Sequence, residues 1–108
     1  MKPKEVWLVD FVFADISGSK IRPGLIISKS EHNKKSDSVI LCSVTTNPNR
    51  KSVPITKNNL SSGKMYEDSF IAYDTILSVD KDLLKKKIFV INDETFEKVK
   101  KELSEILF

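Results

Sequence analysis

The chain has 108 residues, 40% hydrophobic and 31% charged, with a formal net charge of +3. That suits one water-soluble domain spanning residues 1–108 and leaves too little chain for two. No stretch approaches the ~20 apolar residues of a membrane helix, and Met1-Lys2-Pro3-Lys4 runs into Glu5 and Asp10 rather than into the core of a secretory signal, so the expectation is a cytoplasmic protein with no membrane partner.

The lone cysteine, Cys42, excludes an intrachain disulfide; the lone histidine, His32, excludes a Cys/His zinc site and a two-histidine acid–base pair within one chain. No metal or other cofactor is expected. The positive charge permits a nucleic-acid partner without requiring one, because the cations are spread along the chain. Among 18 cationic residues only Arg22 and Arg50 are arginines. Either codon bias spared them, or the planar guanidinium fork answers a geometric need such as gripping phosphate.

In chain order, Glu5 to Phe13 is rich in β-branched and aromatic residues, with Trp7, Val9, Phe11 and Phe13 on one face at period two, and is predicted to be a strand. Residues 15–20 read as a turn-forming loop. A second strand opens at Arg22-Pro23-Gly24-Leu25-Ile26-Ile27-Ser28, where the proline suggests an edge or entry position. The polar run around His32 reads as a solvated loop. Ser38 to Thr45 is a third strand with apolar residues on both faces, as in the interior of a barrel, and Cys42 within it reads as a buried small hydrophobe.

Further on, Asn47-Pro48-Asn49-Arg50 is predicted as a turn, Ser52 to Ile55 as a short strand, Asn58 to Lys64 as a loop, and Ser69 to Ser78 as a strand. Asp80 is expected to cap a helical turn over Lys81 to Leu84, with a last strand over Lys87 to Val90. Asn92 offers an N-cap oxygen, and Asp93 and Glu94 place negative charge at the positive end of a helix dipole. Phe96, Val99, Leu103, Ile106 and Leu107 recur at helical spacing as a packing stripe. Several short strands closed by one helix suggest a mainly β fold, a small SH3-like β-barrel with a C-terminal helix.

Glu5-Val6-Trp7-Leu8-Val9-Asp10-Phe11, then Gly18-Ser19, Arg22-Pro23-Gly24-Leu25-Ile26-Ile27-Ser28 and Val44-Thr45 occur in an ordered array. Asp68-Ser69, Tyr73-Asp74, Val79-Asp80-Lys81 and the apolar C-terminal helix continue it. Over nearly the whole chain this array resembles the MazF/PemK family of toxin endoribonucleases. The resemblance implies a homodimeric barrel of the CcdB/MazF type that cuts single-stranded RNA without a metal and is neutralised by a cognate antitoxin.

It also implies roles for individual residues. Arg22 matches the family's catalytic arginine, and Thr45 matches its phosphate-contacting threonine, although a plain β-branched strand residue explains Thr45 as well. Asp74 matches a position where some members carry a catalytic aspartate. Ser19, Lys20, Thr46, Asn47 and Arg50 offer donors for gripping RNA. The chain departs from the pattern at Ala72, where those members have an arginine, at Thr75 and Leu77, and in a first loop that lacks a glutamate and keeps Asp15 as its carboxylate. Asp74, Asp15 and water therefore all stand as candidates for proton transfer. A barrel turned non-catalytic binding module and a CcdB-type gyrase-directed toxin are the alternatives on this scaffold.

Overall fold

Alternating apolar residues make Glu5–Val12 a strand, β1, which pairs antiparallel with β2 (Ser19–Ile26) from Val6 opposite Leu25 to Val12 opposite Ser19. The computed structural model describes residues 1–12, 19–48 and 51–108, apart from the side chains of Val12 and Ser19. After helix α1 (Ser30–Lys35) come strands β3 (Ser38–Thr45), β4 (Ser52–Ile55), β5 (Leu60–Gly63), β6 (Ser69–Asp80) and β7 (Leu84–Ile91), then helix α2 (Asp93–Leu107). Among the described residues all the strand pairs are antiparallel and form one seven-stranded sheet in the order β4-β6-β3-β2-β1-β7-β5.

The sheet curls, because residues far apart in strand order meet in one core. Val53 and Ile55 from β4 join Phe89 and Ile91 from β7, with Val6, Leu25, Cys42 and Ile71 between them and Phe96, Val99 and Leu103 of α2 as cover. A second cluster lies on the opposite face, where Val9, Phe11, Ile26, Val39, Leu41 and Leu84 pack with Trp7. Strands β1 to β3 are thus buried on both sides, which is why β3 carries apolar residues at both parities. Trp7, Val9 and Phe11 share a face as predicted; Phe13 is outside the described residues. The result is a small barrel-like fold with a C-terminal helix, and no helix among the described residues is long and apolar enough to cross a membrane.

Asn92 caps α2, its side-chain oxygen accepting the Thr95 N–H at 2.9 Å. The predicted stripe packs only as far as Leu103: Ile106 and Leu107 are exposed, since the final turn has passed the core. The run around His32 is helix α1 rather than a loop. Its buried residue is polar, Asn33, whose amide donates to the carbonyls of Ser28 and Met1, so no apolar periodicity marked it. His32 itself is exposed.

Within the predicted loop 58–64, a 3₁₀ turn over Lys57–Asn59 leads into β5. That edge strand pairs only with β7 and needs no buried face. Asp80 precedes its 3₁₀ turn without giving it a side-chain hydrogen bond. In β6 the pairing runs from Thr45 opposite Phe70 to Ser43 opposite Ala72, then resumes with Cys42 opposite Ile76, which leaves residues 73–75 as a three-residue bulge.

Glu5 is a buried charge with partners. Its Oε1 accepts the Trp7 Nε1–H at 2.9 Å and the Lys2 N–H at 3.1 Å, and Lys87 Nζ lies 3.8 Å from Oε2. Burial alone would raise its pKa, but the hydrogen bonds and nearby positive charge together hold it below 4.5. A carboxylate depressed on folding stabilises above its unfolded pKa and loses that contribution as pH falls through the folded value. Glu5→Gln is therefore expected to cost about 1 kcal/mol at pH 7. The gap should close below about pH 4 in a urea-denaturation series.

Candidate functional site

Proline has no N–H to give a neighbouring strand, and Pro23 sits where β2 would otherwise be paired on both sides. The β2–β3 ladder contains only Gly24 opposite Ser43, Leu25 opposite Cys42 and Ile26 opposite Leu41. From Pro23 back to Ser19, β2 pairs with β1 alone. An inner strand can hold a proline here because this stretch of it is an edge, as the sequence suggested.

Where the ladder stops, the ends of β2 and β3 enclose a cleft of about 420 Å³. Extending the register by two residues sets Arg22 level with Thr45, and strand alternation puts Lys20, Arg22 and Thr45 on one face. All three line the cleft, together with Thr46 and Asn47, while the buried Val44 and Ser69 close it from within. Thr45 Oγ1 accepts the Asn47 N–H at 3.1 Å, which fixes the rotamer and leaves the hydroxyl proton to be donated elsewhere. Arg22 is exposed and enters none of the ion pairs among the described residues. A guanidinium fork and a hydroxyl donor thus face one solvent-filled space, an arrangement suited to an anion with several oxygens.

Five of the eight residues picked from sequence, Lys20, Arg22, Thr45, Thr46 and Asn47, meet here. Arg50 and the side chain of Ser19 lie outside the described residues, as does Asp15. Asp74 is elsewhere: it stands exposed in the β6 bulge beside Cys42, three positions along β3 from Thr45, or about 10 Å at ~3.4 Å per residue. Tyr73 keeps the inward side that Ile71 takes two residues earlier, and there burial and the Glu102 carboxylate raise its phenol above the usual range. Among the described residues no group of three or more His, Cys, Asp or Glu side chains is disposed to hold a metal ion.

A feature the sequence reading did not single out adjoins the cleft. Pro23, Val44, Thr46 and Ser69 also line a trough of about 600 Å³ that continues past Lys64, Met65 and Tyr66 to Lys86 and Lys87 on β7. Gly63 makes this approach feasible: its φ is +87°, and a Cβ there would lie 2.5 Å from the Ile88 carbonyl oxygen and the Phe89 Cα. The Ser69 hydroxyl holds the other end of the segment, donating to the Glu67 carbonyl at 3.1 Å. An aromatic in the polar stretch Gly63-Lys64-Met65-Tyr66-Glu67 was the available signal.

Residues 2–107 match the family described as PemK-like, MazF-like toxin of type II toxin-antitoxin system. The chain belongs to that family. It is 31% identical over 103 residues to Endoribonuclease MazF of Staphylococcus saprophyticus, covering 92% of this chain and 84% of that one. Its fold is similar to an endoribonuclease in complex with its cognate antitoxin from a mycobacterial species, with a TM-score of 0.81 at 19% identity over 99% of this chain and 94% of that chain. The MazE–MazF structure from Deinococcus radiodurans gives a TM-score of 0.79 at 17% identity over 99% and 95% of the two chains.

Burial, aided by the Asp74 charge, pushes the Cys42 thiol up to about 12. The folded toxin-family chain is expected to resist maleimide at pH 8 and to react with one equivalent once unfolded in guanidinium, as read by intact-mass measurement.

Proposed function

We propose that this chain is an endoribonuclease toxin that cuts single-stranded RNA and is neutralised by a cognate antitoxin. The observation that carries the reading is the convergence of Arg22 and the Thr45 hydroxyl on one open cleft. Family membership supports it, as does the activity named for the staphylococcal relative.

In the proposed reaction the nucleophile is the substrate's own ribose 2′-hydroxyl. A bond forms from O2′ to phosphorus as the bond from phosphorus to O5′ breaks. The 2′-hydroxyl loses its proton and the departing O5′ gains one, giving a cyclic phosphate and a free 5′-hydroxyl. The protein must hold the chain in line and stabilise charge growing on the non-bridging oxygens. Arg22 does this with two parallel N–H donors and Thr45 with its hydroxyl proton. Lys20, Thr46 and Asn47 grip the flanking backbone, and Ser19 and Arg50 belong to the same proposed RNA contact. A guanidinium is by its chemistry a poor general base, which leaves Asp74, Asp15 or water to accept the proton.

Around this site we place the whole chain, residues 1–108, as one toxin domain acting in the cytoplasm as a homodimer. The antitoxin would lay a disordered acidic segment over the basic cleft and compete with RNA.

Arg22→Ala is expected to lower the cleavage rate by at least about 10²-fold, and Arg22→Lys by less, because charge survives but the fork does not. Both rates are measured on single-stranded RNA in EDTA, with product ends mapped by mass spectrometry. Asp74→Asn, altering a carboxylate outside the cleft, should lower the rate far less than Arg22→Ala. Undiminished cutting by both Arg22 variants overturns the mechanism, and tight binding with no cutting by the parent turns the reading to a binding module.

Phosphate contacts release counterions, at ~0.7 per contact for a single strand. Contacts from Lys20, Arg22 and Arg50 then predict that log K falls with log salt at a slope near −2, readable by fluorescence anisotropy on an uncuttable four-residue 2′-O-methyl RNA that spans the cleft alone.

A further inference from the structure

We propose that Tyr66 is a stacking platform for a nucleobase flanking the cut, and that the trough beside the cleft is the path by which the RNA reaches it; this rests on the endoribonuclease reading above. Tyr66 is 92% exposed, so its ring contributes little to the barrel's packing. A large apolar face held in water on a positioned segment suits a partner with flat rings.

The surroundings fit a polynucleotide in particular. The trough has apolar walls from Leu8, Met65 and Phe89, while three lysines, Lys64, Lys86 and Lys87, line it against one carboxylate, Glu67. Leu8 is opposite Lys86 in the β1–β7 ladder, which sets that cation beside an apolar wall. Lys87 is half exposed and only 3.8 Å from Glu5, so the Glu5 interaction leaves its ammonium within reach of solvent and ligand. Alternating apolar surface and cations match alternating bases and phosphates, and stacking on an aromatic side chain tolerates any base.

Continuity selects the same occupant. Four residues line both the trough and the cleft, so a strand whose scissile phosphate lies between Arg22 and Thr45 passes over Pro23 and Val44 directly into the trough. Glycine at 63 and the Ser69 hydroxyl pin the two ends of the Tyr66 segment, so less order has to be imposed when RNA binds. The lysines add affinity and the ring selects for unpaired bases, since a base inside a duplex has no free face to offer.

The test uses 2′-O-methyl oligonucleotides of four and eight residues, which lack the attacking hydroxyl, with binding read by anisotropy and by quenching of a 2-aminopurine base. The parent should bind the eight-residue oligonucleotide more tightly than the four-residue one. Tyr66→Ala should remove that gain, weakening the longer probe about tenfold and the shorter one hardly at all, and should abolish the quenching. Tyr66→Phe should restore both, and in cleavage assays the Tyr66→Ala loss should appear as a raised KM. A length gain in Tyr66→Ala equal to the parent's overturns the subsite and leaves the ring to a protein partner. A Tyr66→Phe loss as large as that of Tyr66→Ala also overturns stacking. If the parent neither binds nor cuts RNA, the endoribonuclease reading fails as well; if Arg22→Ala stops cutting while Tyr66→Ala keeps the length gain, only the subsite is lost.

Discussion

One missing N–H opens the cleft on which the proposed chemistry depends. Pro23 ends the β2–β3 ladder after three residue pairs and lets the strand ends part. The gap is flanked by residues whose side chains the remaining pairing has already aimed, so Arg22 and Thr45 face a common space without a loop having to bring them there. Because Pro23 directly precedes the rigid three-pair ladder and directly follows Arg22, its fixed φ also limits where the preceding guanidinium can point.

The rest of the structure gives that gap stiff walls. Burial of β1, β2 and β3 on both faces holds the strands against two separate clusters, one of them roofed by α2. Packing at interior density transmits little of the looseness of a strand end into the sheet. A cleft cut into a doubly buried sheet can therefore be open and solvated while the backbone that carries its donors stays in place, which limits the reorganisation that transition-state stabilisation has to supply.

How much was readable in advance followed the physics of each signal. β1, β3 and α2 were legible because apolar periodicity and a capping asparagine are local, and β3 and β4 fall at their predicted bounds. Helix α1 and strand β5 were not, since one buries an asparagine and the other an edge with hardly any buried side chain. In the site, the Arg22-Pro23 pair could be recognised because proline carries its consequence wherever it sits. The separation of Asp74 from that pair could not, because it depends on the β3–β6 register, which sets Thr45 opposite Phe70 and carries Asp74 beyond Ser43, and nothing local announces that pairing. The trough at Tyr66 draws on β1, β2, β3, β5, β6 and β7, and only the folded chain brings these together.

The register change at residues 73–75 of β6 has a further consequence. Before it, odd-numbered side chains of β6 such as Ile71 point into the helix-covered core; after it, odd-numbered Val79 points to the opposite cluster and even-numbered Ile76 takes the first. The inversion arises because three residues, an odd number, are inserted. The bend has thus absorbed an odd insertion while Cys42 and Ile76 still share the helix-covered core, whereas one residue added between Ile76 and Asp80, where the ladder is continuous, would slip the pairs beyond it against β3 and turn their side chains to the other face. Changes of length in this strand should therefore collect at residues 73–75, and the unbroken pairing on either side is a stricter constraint on the fold than the identity of the residues in the bend.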